Sequence, residues 1–373
     1  MPGTTPLPRT RELLEEGRRK GLHLGGQVAV WHRGREVASF AFGEAVPGTP
    51  VAPEQMMLWL SATKPVTAVL VAQLWERGRL ALDDPVAAHL PAFGAGGKEG
   101  ITIRHLLTHT AGIRMLDVGW PQRPWAEILA GIAARRLEPH WVPGRKAGYH
   151  LTSSWFVLGE IVEKLTGQPF PQVAREELFE PLGMRSSWIG MADADFDAVA
   201  PLLVPVWNTA AKPAELHPWH ERSYVVAPSP GGNGWGPVRE LARFYEMLRR
   251  GGELDGVRIL SPQTVEALAA RHRVGLYDHT FRAALDWGLG VVVNSAWHGE
   301  ADAPHSFGPH ASLRAYGHSG FRSTAAFCDP EPGLVVAFAL NGTPAEAAHR
   351  RRAHHLCGAI YEDLGLSGEG YNP

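Results

Sequence analysis

The sequence predicts an α+β fold: an antiparallel sheet built from both termini, flanked by N- and C-terminal helices, with a mostly helical subdomain inserted between its halves. Two observations carry this. Short alternating runs rich in Val, Ala and Phe occur near the start of the chain and return in its last quarter. The stretch between them shows helical periodicity and long irregular segments instead. The expected division is 1–83 with 286–373 as the sheet subdomain, 84–285 as the helical one, and the active site at their junction.

The elements follow in order. Residues 9–20 read as an amphipathic helix. Gly25–His32 and residues 35–42 alternate and are joined by Arg33-Gly34, a hairpin signal. Residues 58–61 lead into a helix over 61–78, with Val66, Val69, Leu70, Gln73 and Leu74 at helical spacing and Gly78 as its stop. Pro65 falls in the first turn, where no intrahelical N–H is needed. Residues 151–166 and 238–250 are the clearest helices of the insertion, and 207–236, rich in Pro and Gly, reads as its longest irregular loop. Residues 288–294, 323–329 and 333–341 read as strands, with Pro330-Glu331-Pro332-Gly333 as a turn. Residues 345–364 close the chain as a helix. No internal repeat is visible.

Composition excludes several classes. The chain of 373 residues is 45% hydrophobic and 20% charged, as a soluble globular protein is. A net charge of −2 gives no reason to expect nucleic acid or an anionic membrane as partner. No apolar run suits a signal peptide or a bilayer span, so the chain reads as cytoplasmic. Cys328 and Cys357 make no disulfide framework and read as buried small apolar residues.

Chemistry concentrates at Ser61-Ala62-Thr63-Lys64-Pro65. Ser61 and Lys64 are three residues apart, one helical turn, and face the same way. Only six of the 36 basic residues are Lys. Arg cannot release its proton to act as a base, whereas a desolvated Lys can, and a serine beside a neutral amine becomes a nucleophile. Ser61 also sits at the expected helix N-terminus, where free N–H groups favour developing negative charge.

Further motifs stand in order along the chain. They are Leu60 to Lys64, then Ile103-Arg104-His105-Leu106-Leu107-Thr108-His109-Thr110-Ala111-Gly112, Tyr149 followed by Ser154 to Gly159 and Glu163 to Gly167, Pro181-Leu182-Gly183-Met184, Gly231-Gly232, and His318-Ser319-Gly320. In these the chain resembles the serine β-lactamase and penicillin-binding-protein superfamily, in particular its class C β-lactamase-like branch with esterase relatives. The resemblance implies a β-lactamase/transpeptidase-like fold. It implies Ser61 as the acyl-accepting nucleophile and Lys64 with Tyr149 as a coupled proton-transfer pair. The backbone N–H groups of Ser61 and Phe321 would form the oxyanion hole, the second given by the strand after the third motif. His318, Ser319, Gly320, His150, Leu151 and Arg322 would contact substrate. The resemblance calls for no metal and no cofactor.

Two departures bear on substrate. The second motif is commonly Tyr-x-Asn; here Leu151 stands in the Asn position and offers no amide. The third motif has His318 in place of Lys, and a neutral His attracts a substrate carboxylate weakly. Both lean away from lactams and peptides and towards esters or neutral amides. Arg322 beside the third motif is a counterweight, able to replace the lost charge, and reads equally as a strand-edge surface residue. The expected activity is a carboxylesterase with weak β-lactamase activity. The alternatives are a true β-lactamase, a D-amino-acid peptidase or amidase, an acyltransferase, and a catalytically silent binding protein. The partner is a small ester, amide or lactam.

Trp59, Trp155, Trp207 and Trp235 lie near the candidate segments and suggest an aromatic acyl pocket. Other patterns are set aside. Gly317 to Phe321 misses the G-x-S-x-G elbow by its last residue, so Ser319 is not the nucleophile. His105 and His109 have metal-pair spacing without the H-E-x-x-H carboxylate. His349, His354 and His355, beside Arg350, Arg351 and Arg352, read as a solvated helix face. Gly232 to Gly236 reads as irregular loop.

Overall fold

The computed structural model describes residues 6–299, 304 and 306–367. Its centre is an eight-stranded, wholly antiparallel sheet. In spatial order it runs Asp286–Trp287, Val292–Val293, Tyr316–Ser319, Thr324–Asp329, Leu334–Leu340, Gly25–His32, Arg35–Val46 and Thr49–Pro50. The two ends of the chain meet inside it, with Gly26 opposite Leu340 and His32 opposite Leu334. Arg33 and Gly34, which turn the N-terminal hairpin, have φ of 51° and 82°. Positive φ at both central residues is what a tight hairpin needs.

Strand periodicity assigns each face. Val28, Val30, Leu334, Val336, Phe338 and Leu340 share a cluster with Leu14 of the first helix, Pro8–Arg19, and with Leu356 and Ile360 of the last helix, Glu346–Asp363. Ala29, Val335, Ala337 and Ala339 face the other way, towards Leu241, Phe244 and Leu248 of Val238–Arg249. That helix belongs to the 84–285 range in sequence yet packs on the sheet, and its Val238 N–H donates to Gln27 Oε1 at 2.9 Å. Burial on both faces explains why Thr324–Asp329 and Leu334–Leu340 are buried at every position.

A smaller three-stranded sheet pairs Met57–Leu60 with Gly234–Gly236, and the latter with Trp188–Ile189. It feeds the helix Lys64–Glu76, which is buried continuously from Lys64 to Leu74 and packs on Ser153–Thr166. A helix apolar on all sides is a core helix, and this one lies in the main cluster.

Several expectations need correction. The strand expected over 288–294 is two short strands, Asp286–Trp287 and Val292–Val293, around Gly288 and Gly290. Gly290 has φ 78°, which ends strand geometry. The helix expected from residue 151 begins at Ser153, leaving Leu151 outside it. The 207–236 segment is not one loop: it holds a strand pair, a short helix at Arg222–Val226, and the strand Gly234–Gly236. Glycines suit that strand because a Cβ on Gly234 or Gly236 would come within 2.6 or 2.5 Å of Trp59 or Ser187. Among the described residues no helix is long and apolar enough to cross a membrane.

Candidate active site

Ser61 is presented by an abrupt change of direction. The strand Met57–Leu60 ends at Leu60 with φ 51°, and Ser61 opens a 3-10 turn, Ser61–Thr63, that runs into the helix Lys64–Glu76. A non-glycine residue in that region costs about 1–3 kcal/mol and persists only when its surroundings fix it. Here they do. Leu60 pairs with Gly234, the Gly234 N–H donates to Thr63 Oγ1 at 2.9 Å, and the fully buried Trp59 donates from Nε1 to Gly236 O at 3.1 Å.

Lys64 is fully buried, and its Nζ lies 3.0 Å from Ser61 Oγ and donates to Gly231 O at 2.7 Å. Gly231 approaches because it has no side chain: a Cβ there would stand 2.7 Å from Trp155. Thr67 Oγ1 donates to the neighbouring Pro230 O at 2.6 Å and holds that loop down. The rings of Tyr149 and Trp155 lie 5.1 and 5.5 Å from the amine. Burial, with no carboxylate among the described residues to oppose it, holds the Lys64 amine well below its ordinary range. A neutral amine at this distance can take the Ser61 proton.

Tyr149 is 4% exposed, and its hydroxyl lies close to Ser61. Burial pushes its phenol up, so the resting form is a neutral phenol beside the amine. Behind it lies a layer of rings: His109 at 4.6 Å between centroids, Phe281 at 4.8 Å, Trp287 at 5.9 Å and His318 at 6.0 Å. The tautomers of two histidines follow from backbone donors. The Ile113 N–H donates to His150 Nε2 at 3.1 Å and the His150 N–H to His109 Nδ1 at 2.9 Å. His150 Nδ1–H then donates to His109 Nδ1 at 3.2 Å, and both rings are neutral. Burial pushes His150 down to about 3 and His109 well below the usual histidine range.

The Tyr149 backbone is held by Asp278. Its Oδ1 accepts from the N–H groups of Tyr149, Thr280 and Phe281 at 3.1, 2.9 and 3.0 Å. Its Oδ2 accepts from Arg273 Nη2 at 2.8 Å, and both side chains are buried. Burial alone would raise the Asp278 carboxyl; Arg273 and these amides outweigh it and hold the group below its usual value.

Ser61 and Tyr149 open onto a cavity of about 360 Å³. Leu151, Ser319, Gly320, Phe321 and Arg322 line it, so these expected residues are brought together with Ser61. Leu151 is 58% and Phe321 48% exposed, two apolar side chains offered at the mouth. His150 and His318 are wholly buried and lie outside the lining; His318 Nδ1 pairs with Ser319 O at 2.7 Å. Phe321 is in the turn between Tyr316–Ser319 and Thr324–Asp329, not on a strand, and among the described residues neither its N–H nor that of Ser61 finds an acceptor. Arg322 Nε donates to Glu346 at 2.9 Å, and the same carboxylate accepts from Arg350 Nε at 3.0 Å, so one carboxylate is shared by two guanidinium groups of the cavity lining.

The last helix is a solvated face only in part: Arg351 and His355 are exposed as expected, and the others are not. His349, Arg350, Ala353 and His354 line the cavity, and Arg352 turns inward to backbone carbonyls. The expected aromatic acyl pocket is corrected too. Trp59, Trp155 and Trp235 are fully buried and Trp207 donates to Ala45 O, while the cavity's aromatics are Tyr149, Phe281 and Phe321. His105 completes a helix cap with Thr102, and among the described residues no three potential ligands gather for a metal. Asp278 and Arg273 went unread in the sequence. The one local signal is Asp278-x-Thr280, the spacing of an Asx turn.

Fold and site together define a class: the chain belongs to the beta-lactamase family, whose model matches residues 10–358, and the protein is a serine hydrolase. It is 30% identical over 354 residues to the esterase/beta-lactamase LipL of Mycobacterium tuberculosis, covering 87% of this chain and 77% of that one. To the esterase EstB of Burkholderia gladioli it is 28% identical over 340 residues, covering 80% and 82%. The crystal structure of a penicillin-binding protein homolog from Caulobacter crescentus matches with a TM-score of 0.79 at 28% identity, over 97% and 99% of the two chains.

Proposed function

We propose that the protein is a carboxylesterase acting on small esters through an acyl-enzyme on Ser61. The observation that carries this is a buried Lys64 amine, without a carboxylate, 3.0 Å from Ser61 Oγ at the floor of a cavity whose mouth bears Leu151 and Phe321. Ser61 Oγ attacks the ester carbonyl, and its proton passes to the Lys64–Tyr149 pair, which titrates as a unit. The Ser61 and Phe321 amides receive the developing oxyanion. The pair returns the proton to the departing alkoxide. A water then gives its proton to the pair and attacks the acyl carbon, and the acid leaves as Ser61 recovers a proton.

Leu151 gives an acylamide substrate no hydrogen bond, so recognition of a lactam or peptide lacks the amide contact it would use. The similarity to the esterases LipL and EstB supports the ester reading. LipL's name also makes weak β-lactamase activity the second reading. The test is turnover of a short-chain chromogenic ester against a chromogenic cephalosporin, with mass spectrometry after a fluorophosphonate probe. Ester turnover well above cephalosporin turnover and a single adduct on Ser61, both lost in Ser61→Ala, are expected. Cephalosporin turnover in excess would overturn the substrate class, and absence of any adduct would overturn the mechanism.

A further inference from the structure

We infer that Arg352 is a positioning residue for catalysis, acting through the Phe321–Arg322 turn on the oxyanion donor. The inference rests on the reading that Phe321 N–H receives the oxyanion. Arg352 lies on the last helix and is not among the residues lining the cavity. Its Nη2 donates to Arg322 O at 2.8 Å and to Gly342 O at 3.2 Å, and its Nη1 to Leu22 O at 2.9 Å. These carbonyls come from three separate places: the turn after Tyr316–Ser319, the loop after Leu334–Leu340, and the loop after the first helix. One planar guanidinium therefore ties the turn to both neighbouring loops. A Lys, with a single nitrogen, lacks the fork needed to do so.

The turn needs such a tie. Arg322 has φ 50°, a conformation a non-glycine residue leaves when it is free to. The ends of the turn are pinned, by Gly320 N–H to Thr324 O at 2.7 Å and by Leu340 N–H to Ser323 O at 3.0 Å. Its middle is held through the Arg322 side chain on Glu346 and, on the backbone, through the Arg322 carbonyl, which Arg352 takes. Relaxation of Arg322 would swing the adjoining peptide and move the Phe321 N–H away from Ser61.

The remaining surroundings of Arg352 fit a fixed strut. No described carboxylate pairs with it, and its other neighbours are imidazole nitrogens, His23 Nδ1 at 3.0 Å and His349 Nδ1 at 3.4 Å. The buried His23 donates from Nε2 to Leu14 O at 3.1 Å, which leaves Nδ1 as an acceptor for Arg352.

The test compares wild type with Arg352→Lys, and with Arg352→Gln should the first fail to fold, using a neutral short-chain ester and a boronic acid that forms a tetrahedral anion on Ser61. Activity is normalised to the folded fraction seen by near-ultraviolet circular dichroism. The expected result is a kcat per folded molecule lower by about 10–10²-fold, in line with the effect of a small misplacement of catalytic groups, with KM within about twofold. Boronate affinity should fall in proportion to kcat/KM. An unchanged kcat per folded molecule, or a raised KM at constant kcat, overturns the proposal. If wild type turns over no ester, the esterase reading falls by itself, and the boronate affinities alone decide the role of Arg352: weakening supports it and equality overturns it.

Discussion

Replacing Asp278 with Asn tests how Tyr149 is held. The Asp278 side chain is 0% and that of Arg273 1% exposed. Asn removes the negative charge and leaves Arg273 buried beside one remaining acceptor, Thr108 O at 3.3 Å. If the amide oxygen keeps the three N–H groups that Oδ1 now serves, the amide nitrogen faces Arg273, donor against donor. If it flips, those three N–H groups lose their acceptor. Breaking a buried ion pair on one side costs about 3–5 kcal/mol, and either arrangement meets that cost. Urea unfolding followed by tryptophan fluorescence measures it, for Asp278→Asn, Arg273→Met and the double variant. The double variant should recover about 2 kcal/mol of the summed single losses, because no charge is then stranded. Ester kcat should fall in Asp278→Asn as the Tyr149 backbone loses its anchor. A single loss under about 1 kcal/mol, or strict additivity, would refute the reasoning.

Lys64→Met should abolish ester turnover while raising stability at pH 7 in thermal melts. The folded amine titrates well below 10.5, so between the two values the unfolded chain binds the extra proton and the native lysine is a net cost, shrinking as pH rises towards 10.5. Acid should weaken the fold through its buried histidines. His23 and His150 are held neutral down to about 3 by burial, with Arg352 adding to the effect on His23. Stability is therefore complete above about 6.5 and lost as pH falls through that value, by about 2 kcal/mol per histidine at pH 5; urea midpoints that stay level from pH 7 to 5 would contradict this. Leu151→Asn should raise the ratio of cephalosporin to ester turnover by restoring an amide at the cavity mouth, and an unchanged ratio would remove Leu151 as a determinant of substrate class.

Much of this was legible because it is local. The Arg33-Gly34 hairpin, the helix behind Ser61 and the closing helix follow from periodicity and turn chemistry within about twenty residues. The misreadings share a cause. The glycines of Gly234–Gly236 look like loop residues and are strand residues, because they pass against Trp59 and Ser187, which are far away in sequence. His349 and His354 look solvated on their own helix and line the cavity, because the turn carrying Phe321 packs beside that helix.

By itself the sequence determined the α+β class, the Ser61–Lys64 pair on one helical turn, and the order of motifs that names the family. Their local spacing fixes which side chains share a face. Only the tertiary structure decided that Lys64 is buried with no described carboxylate beside it, that Asp278 and Arg273 hold Tyr149, and that His150 and His318 lie outside the cavity lining while Arg322 and Arg350 share Glu346. Burial sets the charge of a group such as Lys64, and it depends on residues brought from more than a hundred positions away, as Gly231 is to Lys64.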